Sequence, residues 1–300
     1  MTTSGTISPD ADAPPTGGAT AFLARLAWMA VAVILVGVVV LVIYAIVEPP
    51  PSSVQPIRLA MTSPGVLGQL NSIPTTSFDS VDATQLTSAI APPTVLTGLP
   101  LLTDNGKPEV LFVGAEYCPY CAAERWPLVA ALSRFGTFTK LQNSQSTSRS
   151  VYASLQTFSF DHFAYSSPYL SFSGVEVYSN ELTDNGAFTP LETPDPAESK
   201  AVGLVRSQLA TTGVAPTWPV VDLGNRAAIT TSGFSPALLL GQSQQAIVNA
   251  LSQPSTPLGA AVLTAANQLT AGICLATGEQ PAAVCTSRAV VRARTQLARP

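Results

Sequence analysis

Cys118 and Cys121 stand two residues apart in "EYCPYCAAER", and they are the residues of this chain best placed to do chemistry. A disulfide across so short a span needs a tight turn, which the first turn of a helix supplies. That turn also offers free N–H groups and the positive end of the helix dipole, which favour a thiolate. Pro119 suits the placement, because the first helical turn does not use its missing N–H. The pattern therefore predicts Cys118 as an exposed attacking thiol and Cys121 as a buried resolving thiol. Such a site needs no cofactor beyond its own two electrons. The rival readings are a zinc site, a haem attachment and a structural disulfide. Zinc needs four ligands, and Cys274, Cys285 and the lone His162 make no second knuckle. Haem attachment needs His after the second cysteine, where Ala122 stands. The structural disulfide stays open. With a single histidine, a Ser-His-Asp hydrolase would have to use His162, and a multi-histidine metal centre is excluded.

Several neighbours would tune the pair. Glu116 would raise a nearby thiol pKa, and Arg125 would either offset it or face water. Tyr120 lies inside the motif. A proline loop set against the two cysteines is expected immediately before an antiparallel strand. Pro219, preceded by Trp218, fits because "VVDL" begins at once. Pro216 is the alternative, but it would leave Pro219 inside a strand without a ladder N–H.

Positioning these groups falls to the flanking elements. "VLFVG" (110–114) reads as a buried parallel strand. The segment after the cysteines reads as a helix with Trp126, Val129, Ala130 and Phe135 near one face, stopped by Gly136. "TFTKL" (137–141) is expected as the next strand, which would complete a βαβ unit. "TFSF" and "GVEVY" read as strands within an aromatic-rich excursion. Residues from Asp195 read as a helix, "VVDL" and "RAAIT" as a hairpin with a Gly-Asn turn, and "SQQAIVNAL" as a helix capped by Ser243. The C-terminus, 257–298, reads as a pair of helices.

Bulk composition narrows the partners. The chain is 11% charged, against about 25% for an average soluble domain. A net charge of −4 gives no basic footprint, so nucleic acid is not an expected partner. Residues 26–47, "LAWMAVAVILVGVVVLVIYAIV", carry no charge. At about 1.5 Å per residue they reach about 33 Å, enough to cross a lipid core of about 30 Å. A signal peptide would be shorter and would end in a small-x-small site, whereas this run ends in "EPPPSS". Arg25 on the N-terminal side favours a cytoplasmic N-terminus. Residues 1–20 read as a disordered tail and 48–56 as a Pro-rich linker. The expected organisation is then one extracytoplasmic domain over 57–300, its core about 100–255, tethered to the bilayer.

The blocks "GKPEVLFVGAEYCPYCAAERWPLVAALSRFGTF", "TFSFDHFAYSSPYLSFSGVEVY", "PVVDLGN" and "AANQLTAGICLATGEQPAAVC" resemble the family catalogued as domain-of-unknown-function family 929. "CPYC" is also similar to the glutaredoxin active site. The resemblance implies a thioredoxin-like α/β fold in microbial proteins, often behind an N-terminal membrane anchor, with no settled activity. In an oxidising compartment, Cys274 and Cys285 would form a structural disulfide. The alternatives are an electron relay to Cys118 and Cys121, or two reduced, buried thiols. Two functions follow. The first is a membrane-anchored thiol–disulfide oxidoreductase acting on thiols or disulfides of exported proteins or of a redox partner. The second is a non-catalytic scaffold whose aromatic insertion, Tyr152 to Tyr178, binds protein.

Overall fold

A computed structural model of the chain describes residues 29, 34–39, 60–81, 91–210 and 218–299. The chain divides into two compact units, Met1–Arg58 and Leu59–Pro300. In the first unit Met29 and residues 34–39 are helical and exposed. The rest of the predicted 26–47 span, the tail and the 48–56 linker lie outside the described residues.

The second unit is mixed α/β. Its elements run α1 (Pro64–Asn71), α2 (Thr75–Ser80), β1 (Thr94–Val95), β2 (Thr103–Asp104), β3 (Lys107–Gly114) and α3 (Pro119–Leu132). Next come β4 (Thr137–Gln145), β5 (Gln156–Ser166), β6 (Ser171–Glu176), β7 (Tyr178–Leu182), β8 (Phe188–Pro190) and α4 (Pro196–Ala210). The chain closes with β9 (Val220–Leu223), β10 (Ala227–Ile229), α5 (Gln244–Leu251), α6 (Pro257–Ala276), α7 (Ala282–Cys285) and α8 (Arg288–Gln296).

β3 is central. It pairs antiparallel with β9 and parallel with β6, and β9 continues through β10 to β1. Its apolar run is buried on both sides, as a strand covered by helices on each face must be. Val110 and Phe112 join the core containing α3 and α6, while Leu111 and Val113 meet Val202, Val205 and Leu209 of α4. The β9–β10 turn uses Gly224 at φ 69° and Asn225 at φ 56°, the left-handed geometry a tight hairpin needs.

Three sequence expectations are corrected. The strand beginning at Thr137 does not lie beside β3; β4 pairs with β5 in a separate antiparallel ribbon, and β6 takes the parallel place. β4 alternates buried and exposed residues, which suits a ribbon packed on one face, whereas a strand between β3 and solvent-free helices needs continuous burial. Second, α3 has no solvent face beyond its first turn: Cys121 through Leu132 are all buried, Glu124 and Arg125 included, because the ribbon and α6 enclose it. Third, the C-terminal segment is not a pair of appended helices. It breaks at Thr286–Ser287 into α7 and α8, and α6 is itself a core layer against α3. Among the described residues α6 is the one helix long and apolar enough to cross a membrane, and it is mostly buried inside the domain. Ser243 caps α5 as expected, accepting the Ala246 N–H at 3.2 Å.

Candidate active site

β3 ends at Gly114 and the chain turns through Ala115–Tyr117 into α3, leaving Cys118 at the N-cap with φ −76° and ψ 121°. Its Sγ accepts the Cys121 N–H at 3.2 Å, so the sulfur occupies the place a capping oxygen would take. Both cysteines are free; Cys121 is 0% exposed as expected of the resolving thiol, but Cys118 is not the exposed thiol the spacing predicts, being 7% exposed because the Trp218–Pro219 loop packs over its sulfur. Gly114 makes room beneath them: a Cβ there would come within 2.5 Å of the Phe112 ring and 3.2 Å of Cys121 Sγ.

The two thiols are driven apart electrostatically. Cys118 is held below the ordinary thiol range, first by the Cys121 side chain, then by the Cys121 N–H, the Arg125 charge and the Tyr120 N–H, against the opposing effect of burial. Cys121 is pushed well above it, mainly by burial and then by the hydrogen bond and charge of Cys118. One sulfur is thus prepared to be a thiolate and the other to stay a thiol.

Arg125 does not face water. Its Nε and Nη2 donate to the Glu176 carboxylate at 2.9 and 2.6 Å, and Nη2 also reaches the Ala115 carbonyl at 3.0 Å. Glu176 accepts the Phe160 N–H as well, at 3.1 Å. The pair is fully buried and clamps α3 to the end of β6 and to the turn that presents Cys118. Nη1 of Arg125 has no protein partner, so its charge acts within the site. Glu116 is buried too, and burial pushes its carboxyl up to about 7. Raised that far, Glu116 is a weaker source of negative charge near neutral pH than an ordinary carboxylate, which blunts the charge expected beside the thiol.

Pro219 lies next to the pair. The Trp218–Pro219 peptide is cis, and Cys118 Sγ lies 3.9 Å from the Trp218 carbonyl oxygen. The Trp218 ring carries the Arg206 guanidinium 4.7 Å above its centre. Pro216 lies outside the described residues. Tyr120 is 42% exposed and meets the Tyr152 ring edge-on at 6.1 Å.

Cys274 and Cys285 are elsewhere and bonded to each other, with Cα atoms 5.6 Å apart. The register places Val220 opposite Val113, at the Cys118 end of the sheet, and Leu223 opposite Val110, at the other. The Gly224 turn packs on Ala276, in the last turn of α6 beside Cys274. The two cysteine pairs therefore sit at opposite ends of the central strands, and no group of three or more metal-ligating side chains occurs among the described residues.

Sequence reasoning missed Glu176 and two other buried acids. Glu124, on α3, accepts the Gly233 N–H at 2.6 Å, and burial pushes it up to about 8. Asp222, on β9, accepts the Asn225 N–H at 2.6 Å, and burial pushes it up to about 7. An acid inside an apolar β-branched run, as in "GVEV" and "VVDL", was the signal for Glu176 and Asp222. Much of the aromatic excursion goes inward: Phe158, Phe160 and Phe172 are buried and pack edge-to-face or tilted with their neighbours.

No curated protein and no solved structure matches the chain. The segment that carries β3, both site cysteines, the ribbon and β6 does match a family model: residues 100–188 are similar to the family described as a domain of unknown function, DUF929.

Proposed function

We propose that this protein is a membrane-anchored thiol–disulfide oxidoreductase with a thioredoxin-like core, working outside the cytoplasm. The observation that carries the reading is Cys118 Sγ capping α3 through the Cys121 N–H, with Cys121 buried behind it. The order β10–β9–β3–β6, one parallel and two antiparallel pairings with the cysteines after the central strand, supports the fold. The uncharged run 26–47 supports the anchor.

In the reducing direction, the Cys118 thiolate attacks one sulfur of a substrate disulfide. A Cys118–substrate disulfide forms and the other substrate sulfur leaves as a thiolate, which takes a proton. Cys121 then loses its proton and attacks Cys118, releasing the second substrate thiol and closing Cys118–Cys121. Two electrons and two protons pass to the substrate, and the oxidising direction is the reverse. The buried Arg125 charge stabilises whichever sulfur is ionised. Phe158, Phe160 and Phe172 belong to the core, which weakens the aromatic motive for the scaffold reading, while Tyr169 and Tyr178 stay exposed.

The test is insulin reduction by the full chain with a dithiol reductant. Cys118→Ser is expected to fall to background, while Cys121→Ser accumulates mixed disulfide at Cys118. Equal turnover by the wild-type and Cys118→Ser proteins would remove the proposal.

A further inference from the structure

A polar cleft of about 430 Å³ opens between the end of β4 with its following loop and the β7 strand. Both walls are tied to the residues that carry Cys118. On the loop side, the Thr147 N–H donates to the Tyr117 carbonyl at 2.9 Å, and Tyr152 meets Tyr120. On the strand side, the Tyr178 carbonyl accepts the Glu116 N–H at 2.9 Å. Thr147, which lines the cleft, thus bonds the residue immediately before Cys118.

Its chemistry is specific. Asn143, Gln145, Gln156 and Asn180 line it with side-chain amides; Gln156 donates to the Gln145 side chain at 3.1 Å, Asn180 to the Gln145 carbonyl at 2.8 Å, and Asn143 accepts from Thr62 at 2.8 Å, which leaves each amide with further donor and acceptor capacity toward the cleft. Those are the groups that match the N–H and C=O of an extended peptide. The Ser144 hydroxyl is buried there and has no protein partner. Arg149 and Glu181 add one charge of each sign, on opposite walls, so the cleft favours no net charge in its occupant.

We infer that this cleft binds an extended, uncharged polar stretch of polypeptide, rich in Ser, Thr, Asn or Gln, flanking the cysteine that Cys118 attacks. The role of the bound stretch rests on the thiol–disulfide reading; the binding does not, and the two are measured separately. Fluorescence anisotropy is recorded for the full chain with labelled cysteine-free peptides, one of Ser, Asn, Thr and Gln and one of Leu, Val and Ile. The polar peptide is expected to bind about tenfold or more tighter. Asn180→Leu and, as a second variant, Ser144→Val are each expected to weaken the polar peptide several-fold. Equal affinity for the two peptides, or unchanged affinity in both variants, would overturn the inference. Restoring a cysteine to the polar peptide, supplied as its symmetric disulfide, and trapping it on the Cys121→Ser protein reads the redox step alone: the Cys118 thiolate takes one peptide sulfur and the other peptide leaves as a thiol. Binding without trapping keeps the cleft and removes the redox role; trapping without peptide preference does the opposite.

Discussion

The two cysteine pairs of this chain sit in the same unit and are both largely buried, yet they are built for opposite ends. Cys274 and Cys285 join the last turn of α6 to α7, and their bond restrains two helices. Cys118 and Cys121 share one helical turn with a buried cation behind it, and both are free thiols. What differs between the two pairs is the surrounding field: the Cys121 side chain, an N-terminal helix turn and Arg125 at Cys118, and a closed bond at Cys274–Cys285.

The strongest way to break that contrast is to remove the cation. Arg125→Met leaves Glu176 buried and unpaired, and is expected to cost about 3–5 kcal/mol of stability. It should also move the midpoint of Cys118 alkylation to higher pH, because the charge that lowers its pKa is gone. Denaturant unfolding and a pH series of iodoacetamide rates check both parts. A stable variant with an unmoved midpoint would show that the helix terminus alone sets the thiol.

The complementary change is Cys274→Ala with Cys285→Ala. Opening a loop of about 12 residues is expected to cost roughly 3 kcal/mol on a chain-entropy account. The alkylation profile of Cys118 should not move, because that pair lies at the other end of the sheet. A shifted profile would mean the two pairs communicate.

The buried acids give a third, smaller test. Glu116, Glu124 and Asp222 have folded values of about 7, 8 and 7, all raised from ordinary values of 4.5, 4.5 and 3.8. Between those limits the folded state holds protons that the unfolded state has lost, so stability falls as pH rises from about 4.5 to about 8. Urea midpoints should therefore be higher at pH 5 than at pH 8. Glu124→Gln, which keeps an acceptor for the Gly233 N–H, should reduce that slope and raise stability at pH 8 by on the order of 1 kcal/mol. A flat midpoint across this range would remove the assignment of these acids as buried, protonated groups.

The smallest effect belongs to Tyr120. Exposed and meeting only Tyr152 edge-on, it should change stability by no more than about 0.5 kcal/mol when replaced by Ala. A larger loss in thermal or urea unfolding would show that the motif's tyrosine holds the Tyr152 loop against the site.

Part of this architecture was legible in the residues. "VLFVG" showed its burial on both faces by its unbroken apolar character, and "CPYC" showed its helix start by the proline after the first cysteine. Ser243 and the Gly-Asn turn declared themselves by local chemistry. The partner of β3 did not, because any of several nearby strands satisfies the same local pattern. Arg125 read equally well as a solvent-facing charge, since the acid that neutralises it, Glu176, is a strand away and follows a long ribbon.

By itself the sequence determined the central strand, the helix that starts at the cysteines and the cap at Ser243, which sulfur lies at a helix start, and that 26–47 lacks charge. These depend on neighbours within a few residues, where backbone preferences and side-chain capping act. Only the tertiary structure decided which strand lies beside β3, that Arg125 and Glu176 meet in the dry interior, and that a polar cleft forms between the end of β4 and β7. Those arise from groups far apart in the chain that become adjacent when the core closes and water is excluded.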